Sequence, residues 1–111
     1  MKPITICTAF YSSSRWVGIA KRKSHTRAAR NPYGWTDRIH AELAALIKVP
    51  RGIPGRKIKI EVMRVSKAGQ VGMSKPCFSC QHFLRMRGIL PKNITYSGWD
   101  GTIQPLKEWE I

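Results

Sequence analysis

The chain has 111 residues, with 20 Lys and Arg against 6 Asp and Glu and a formal net charge of +14; that length suits one domain, residues 1–111, around a single modest core. An apolar fraction of 42% with four Trp excludes a disordered polar chain, and with no run of about 18 apolar residues no membrane partner is expected. Three cysteines and an N-terminus too polar for a signal peptide point to a reducing, cytoplasmic setting without disulfides.

Residues 3–11 read two ways. The β-branched Ile4, Thr5 and Ile6 suit a strand, whereas Pro3 at a first helical position, with Ile4, Cys7, Phe10 and Tyr11 at near-helical spacing, suits a helix. "WVGIA" at 16–20 reads as a buried strand. Around it Arg15, Lys21, Arg22, Lys23, Arg27 and Arg30 crowd a stretch with no acid before Asp37. Such a field draws in a polyanion and makes its binding salt-dependent, the usual footprint of a nucleic-acid partner. A merely solvated basic face or a membrane-surface patch is the plainer reading of the same charges.

Over 38–48 the apolar Ile39, Leu43, Leu46 and Ile47 share one helical face, with Thr36 and Asp37 as caps and Pro50 and Gly52 as stops. "KIKIEVMRV" at 57–65 alternates Lys57, Lys59 and Glu61 with Ile58, Ile60 and Val62, the pattern of a half-buried strand. Residues 68–72 form a turn or loop. Pro76 at a first helical position and Gly88 past the end bracket a second helix over 76–87. A short strand at 93–98 then turns at Asp100-Gly101 into residues 102–106. The alternation is of α/β type, and the closing hairpin makes the sheet mixed.

Cys77 and Cys80 stand one turn apart at a helix start, where the helix end favours thiolates, the form that binds zinc. Alone, CxxC also fits half a zinc ribbon, a redox pair or chance. Cys7 is the only other cysteine and reads as a buried thiol. A third ligand has to be a histidine. His82 points away from the two cysteines, His25 sits in the basic segment, and His40 opens a helix with Glu42 two places on. Two Cys and one His leave the fourth tetrahedral position to water, a catalytic count. Zinc there would bring the pKa of that water toward about 7, with a carboxylate to move its proton.

"HAE" at 40–42 followed by "PCFSC" at 76–80 resembles the H-x-E…P-C-x-x-C signature of the zinc-dependent cytidine deaminase superfamily. The resemblance covers residues 4–106, with its specific letters in 31–80. It implies His40, Cys77 and Cys80 as zinc ligands and Glu42 as the proton shuttle. It also makes Asn31 the sugar-binding asparagine, although Asn31-Pro32 is a natural turn start by itself. The backbone amides of Ala41 and Cys77 would hold the base carbonyl.

The implied fold is a three-layer α/β/α, cytidine-deaminase-like domain with a mixed five-stranded sheet. Because the family usually places a helix before its first strand, a helix is expected near 3–12. His40 and Glu42 would point about 200° apart inside a regular helix, so that helix should begin close to His40 rather than at Thr36. The family members acting on tRNA adenosine, on dCMP and of the APOBEC type have a helix between their last two strands. Here "SGWDG" is too short for a crossover, so the last two strands must be antiparallel. That arrangement resembles free cytidine deaminases and bacterial toxin-type deaminases, of which the former usually carry cysteine where His40 stands.

The expected reaction is cytosine to uracil in single-stranded DNA or RNA, DNA being favoured. The basic segment and the aromatics Trp16, Tyr33, Trp35, Phe78 and Trp99 support it, since aromatics in a basic groove stack bases. Tyr33 and Trp35, just before His40, are the first choices for substrate contact, though aromatics more often fill cores. Free cytidine or dCMP, adenosine in RNA, and a non-catalytic nucleic-acid-binding module with a structural zinc are the alternatives.

Overall fold

The computed structural model describes residues 4–19, 21–22, 38–65 and 70–111, with backbone alone at 21–22 and 38–39. The chain opens with strand β1 (Ile4–Tyr11), turns at Ser12 (φ 55°) and returns as β2 (Ser14–Ile19), paired antiparallel from Tyr11↔Ser14 to Ile6↔Ile19. Two-residue strands β3 (Lys21–Arg22) and β4 (Arg38–Ile39) pair with each other apart from the main sheet.

The helix expected near 3–12 is therefore a strand. Ile4, Cys7, Phe10 and Tyr11 fit a helical period, but β1 lies between β2 and β5 (Lys59–Val65), with a ladder on both edges. Period 2 prevails: Cys7 and Ala9 are buried while Ile6, Thr8 and Phe10, on the other face, are half-buried.

Helix α1 (Ala41–Leu46) follows β4. His40 is its N-cap in extended conformation (φ −79°, ψ 157°), so the helix starts where the His40–Glu42 geometry required. All six helical residues are buried. Three are alanine, which keeps the helix thin enough to lie on β2 at Gly18, where an added Cβ would collide with the backbone of Ala41, Ala44 and Ala45. Residues 16–19 are thus strand as expected but not a buried one: Val17 and Ile19 are exposed, Trp16 is half-buried, and Gly18 is covered as the seat of α1; Ala20 lies outside the described residues.

Strand β5 begins two residues later than the alternation at 57–65 suggested, after a short 3-10 turn at Gly55–Lys57. Its end pairs with β6 (Val71–Gly72) in a stretch expected as turn or loop. Helix α2 (Phe78–Met86) is capped by Cys77, which leaves Pro76 outside the cap rather than at the first helical position. Gly88 (φ 91°) ends the helix as expected, and Ile89 N–H donates back to the Leu84 carbonyl at 3.1 Å.

Strand β7 (Ile94–Ser97) lies parallel to β5, and β8 (Ile103–Pro105) lies antiparallel to β7, as the short "SGWDG" link demands. The result is a mixed α/β fold, consistent with a cytidine-deaminase-like one. Its sheet runs β2-β1-β5-β7-β8 with β6 added on β5, six strands where five were expected.

Leu43 of α1 and Phe83 and Leu84 of α2 share one core with Cys7, Ala9, Ile60, Val62 and Ile94. Because those sheet residues lie on one face of the paired strands, both helices cover that face. Among the described residues no helix covers the opposite face, so the third layer expected of an N-terminal helix is not formed there.

Candidate metal centre and its pocket

The starts of both helices meet at the end of the central strands where Thr5 of β1 pairs with Arg64 of β5. His40 ends its extended segment at the α1 cap, and Cys77 ends its own at the α2 cap, with Cys80 in the first turn beyond. Nδ1 of His40 lies 3.1 Å from Cys80 Sγ and 3.5 Å from Cys77 Sγ. The three ligand atoms fall within 4.8 Å of one another, close enough to hold one metal ion. Cys80 is buried and Cys77 exposed.

The two thiols titrate unequally. Cys77 falls to about 4 because it accepts the hydrogen bond of the Cys80 thiol, with further help from His40 and against its partial burial. Cys80 is pushed up as the donor in that pair, then by burial and by the nearby Glu42. One thiol is thus biased toward thiolate, and the pair suits a cation that prefers thiolate and imidazole, which would displace the proton of the second. Cys7 is fully buried and its thiol is raised by desolvation, an inert core group as expected.

Glu42 is in the first turn of α1 and almost entirely buried. Desolvation raises its carboxyl, opposed by a hydrogen bond to its own backbone amide and one from Cys80. It lines a cavity of about 220 Å³ together with Thr5, His40, Ala41, Arg64, Met73, Ser74, Lys75 and Cys77. Glu42 is the one acid among these residues, and it sits beside the His/Cys/Cys cluster. This is the arrangement a proton carrier needs: shielded from bulk water, with a carboxyl poised above its usual range.

The floor is tied down by two serines. Ser74 Oγ donates to the Val62 carbonyl at 2.6 Å, Ser97 N–H donates to Ser74 Oγ at 2.8 Å, and Ser97 Oγ donates to the Gly72 carbonyl at 2.5 Å. Both side chains are buried and hydrogen-bonded, so the segment leading to Cys77 is anchored on the middle of β5 and the carboxyl end of β7. Ligands of open α/β sheets bind beyond such strand ends.

Of the other residues singled out in the sequence, Ala41 is at the pocket as the first residue of α1. Arg15 is exposed opposite Phe10, on the helix-free face and at the far end of β1 from Thr5. Lys21 and Arg22 are in β3, described by backbone alone. Asn31, Tyr33, Trp35, Lys23, Arg27 and Arg30 lie outside the described residues. Trp16 packs half-buried against the core, Phe78 is exposed on α2, and His82 is exposed and outside the metal cluster.

Sequence reading missed the cations that the fold does bring to the pocket, Arg64 and Lys75. A second, wider hollow of about 610 Å³ shares Arg64, Met73 and Lys75 with the first and extends to Gln70, Val71, Gly72 and Trp99. Trp99 is 83% exposed, so its ring is open along this groove. Lys75 carried a visible signal, standing two places before Cys77; Arg64 had none, because its position depends on β5 pairing Arg64 with Thr5.

No helix among the described residues is long and apolar enough to cross a membrane. A scan against protein-family models finds no match to this chain, and no curated protein matches it.

Proposed function

We propose that this chain is a zinc-dependent deaminase that converts cytosine to uracil in single-stranded nucleic acid, with DNA as the first substrate to test. The observation that carries the reading is Glu42: a buried carboxyl with a raised pKa, in the same cavity as His40 and Cys77 and hydrogen-bonded to Cys80. A purely structural metal site gains nothing from a buried acid at its side, and burying one costs stability, so its position here favours a functional role.

The donor set fits zinc: one imidazole nitrogen and two thiols within reach of a single point, one of them already biased to thiolate. When bound, zinc supplies a Lewis acid that acidifies water to near-neutral pKa and leaves one tetrahedral position for it. His40, Cys77 and Cys80 would hold it.

The rest of the work falls to the chain. Deamination adds the oxygen of water at C4 of cytosine and breaks the C4–N bond, releasing ammonia. Glu42 takes one proton from water on a carboxylate oxygen and places it on the ring nitrogen beside C4, then takes the second from the new C4 hydroxyl and gives it to the departing amine, which leaves as ammonia. The raised carboxyl favours holding the proton between those steps. Ala41 N–H, at the first position of α1, has no intrahelical acceptor by its place in the helix and is set to hold the base carbonyl.

The polynucleotide reading is supported by the +14 charge and by the groove leading from the cavity past Arg64 and Lys75 to the open ring of Trp99. Cations that meet phosphates and an exposed indole that can stack a base are what a single strand requires.

The test is sequencing-based detection of deamination on single- and double-stranded DNA and RNA, with free cytidine and dCMP and an adenosine-containing RNA as parallel substrates. C-to-U conversion in single strands, abolished by Glu42→Ala, is the expected result. Turnover that survives Glu42→Ala would remove the mechanism. Zinc binding with no turnover on any substrate would leave the non-catalytic binding module standing.

A further inference from the structure

The two cysteines of the metal cluster are held differently. Cys80 is buried inside α2 and carried by the helix. Cys77 is exposed at the cap, makes no side-chain cap hydrogen bond, and follows Pro76, a residue with no N–H to anchor it. What secures the peptide before Cys77 is Gln81, one turn on. Its Nε2 donates to the Pro76 carbonyl at 3.0 Å.

Gln81 is fully buried, and both hydrogens of its amide are used. Nε2 also donates to Oε1 of Glu110 at 3.0 Å, and Oε1 of Gln81 accepts the Glu110 backbone N–H at 3.0 Å. The other Glu110 oxygen pairs with the Lys75 ammonium, on the far side of Pro76. Lys75, Pro76 and Cys77 are therefore gripped through Gln81 from beneath and through Glu110 from the side. A residue near position 110 thus reaches a segment that carries a metal-ligand thiol.

We propose that Gln81 and Glu110 form a positioning pair that locks the Cys77 arm of the metal centre, so that Glu110 controls how fast the bound metal is lost. Without the Glu110 carboxylate, one Nε2 hydrogen of a buried amide has no acceptor, and the amide must turn or admit water to satisfy it. Either response loosens its hold on the Pro76 carbonyl and frees the exposed thiol to leave the metal first. The inference rests on the metal reading of the cluster but not on deamination, because metal release needs no substrate.

The experiment loads the full chain with zinc and follows transfer of the metal to an excess of a chromogenic chelator. Glu110→Ala should release zinc about 10-fold faster, the lower end of what losing an outer-sphere partner of a metal ligand does to affinity. Glu110→Gln keeps the acceptor oxygen for Gln81 and loses the charge; it should stay close to wild type. Thermal unfolding of the metal-free variants is measured alongside.

Equal release rates in wild type and Glu110→Ala overturn the proposal. So does fast release in Glu110→Gln, which would assign the effect to the ion pair with Lys75 instead of the Gln81 relay. A rate increase that merely follows a fall in global stability overturns it too. A wild-type chain that retains no zinc overturns the metal reading and this inference with it, whereas zinc retention without turnover leaves this inference intact and removes only the deaminase.

Discussion

Nδ1 of His40 and Sγ of Cys80 lie 3.1 Å apart although 40 positions separate them in the chain. The contact exists because the cap of one helix meets the first turn of another, with Cys77 completing the triangle. If these three side chains hold the metal, protein purified from zinc-supplemented medium carries one zinc per chain. His40→Ala, Cys77→Ala and Cys80→Ala should each fall well below one equivalent by atomic emission, while His82→Ala, a change at an exposed helical position outside the cluster, keeps the full amount. Stoichiometric zinc in His40→Ala or Cys80→Ala would contradict the ligand set.

This triangle was legible through the likeness of "HAE" and "PCFSC" to the deaminase signature, since local pattern alone offered an i, i+3 cysteine pair and three histidines to choose from. The start of α1 at Ala41 followed from that likeness: only an extended His40 can aim its ring and the Glu42 carboxyl into one space. The state of residues 4–11 was not. Ile4, Cys7, Phe10 and Tyr11 satisfy a helical period, the β-branched residues satisfy a strand, and what decides is pairing to β5 some fifty residues on. Local pattern carries no information about that ladder. The cations at the pocket were hidden likewise. The densest basic run drew attention to Arg15, which the β1–β2 register places opposite Phe10, while Arg64 reaches the cavity through its register with Thr5.

Glu42→Gln should separate chemistry from stability. General acid–base groups contribute about 10²- to 10⁴-fold, so ammonia release should drop by at least about 10²-fold while zinc content stays unchanged. Burial raises the Glu42 carboxyl in the folded state, so the fold prefers the protonated acid. That contribution to stability is fully present below the unfolded pKa, about 4.3, and is lost as pH rises through the folded value. At neutral pH the buried carboxylate therefore opposes folding, and the neutral Gln should relieve it. Metal-free Glu42→Gln should be more stable than wild type at pH 7 by roughly 0.5–2 kcal/mol, the usual yield of relaxing a functional site. The difference should close as pH falls toward about 4. A less stable Glu42→Gln at neutral pH would show that the carboxylate is structural.

Gly18→Ala tests how the site is seated. The added methyl would meet the backbone of Ala41, Ala44 and Ala45, not the yielding end of a side chain, so α1 must lift from β2. Overpacking of this kind costs about 1–3 kcal/mol, read as a lower midpoint in urea. Because α1 carries both Glu42 and the His40 cap, zinc affinity should fall with it. Gly52→Ala is the control: nothing lies within 4 Å of a Cβ there, and its midpoint should hardly move.

The groove from the cavity to Trp99 makes a prediction that distinguishes a polynucleotide from a free nucleotide. If successive nucleotides follow it, Trp99→Ala should weaken single-stranded oligonucleotide binding by about 1–3 kcal/mol, the range for losing one stacked base. It should leave turnover of free dCMP nearly unchanged, because the indole is not among the residues that line the inner cavity with Glu42 and Lys75. Arg64→Ala should weaken oligonucleotide binding across all sequences and reduce the slope of log affinity against log salt by about one. The charges differ in reach: Arg64 and Lys75 line the cavity, whereas Arg15 is exposed on the opposite face, so Arg15→Ala should change that slope less than Arg64→Ala. Fluorescence anisotropy of a labelled single strand at several salt concentrations reads all three variants. Equal loss from Trp99→Ala on oligonucleotide and dCMP would make the indole part of the fold and not a stacking platform. A salt slope unmoved by Arg64→Ala would detach the groove from the phosphate backbone.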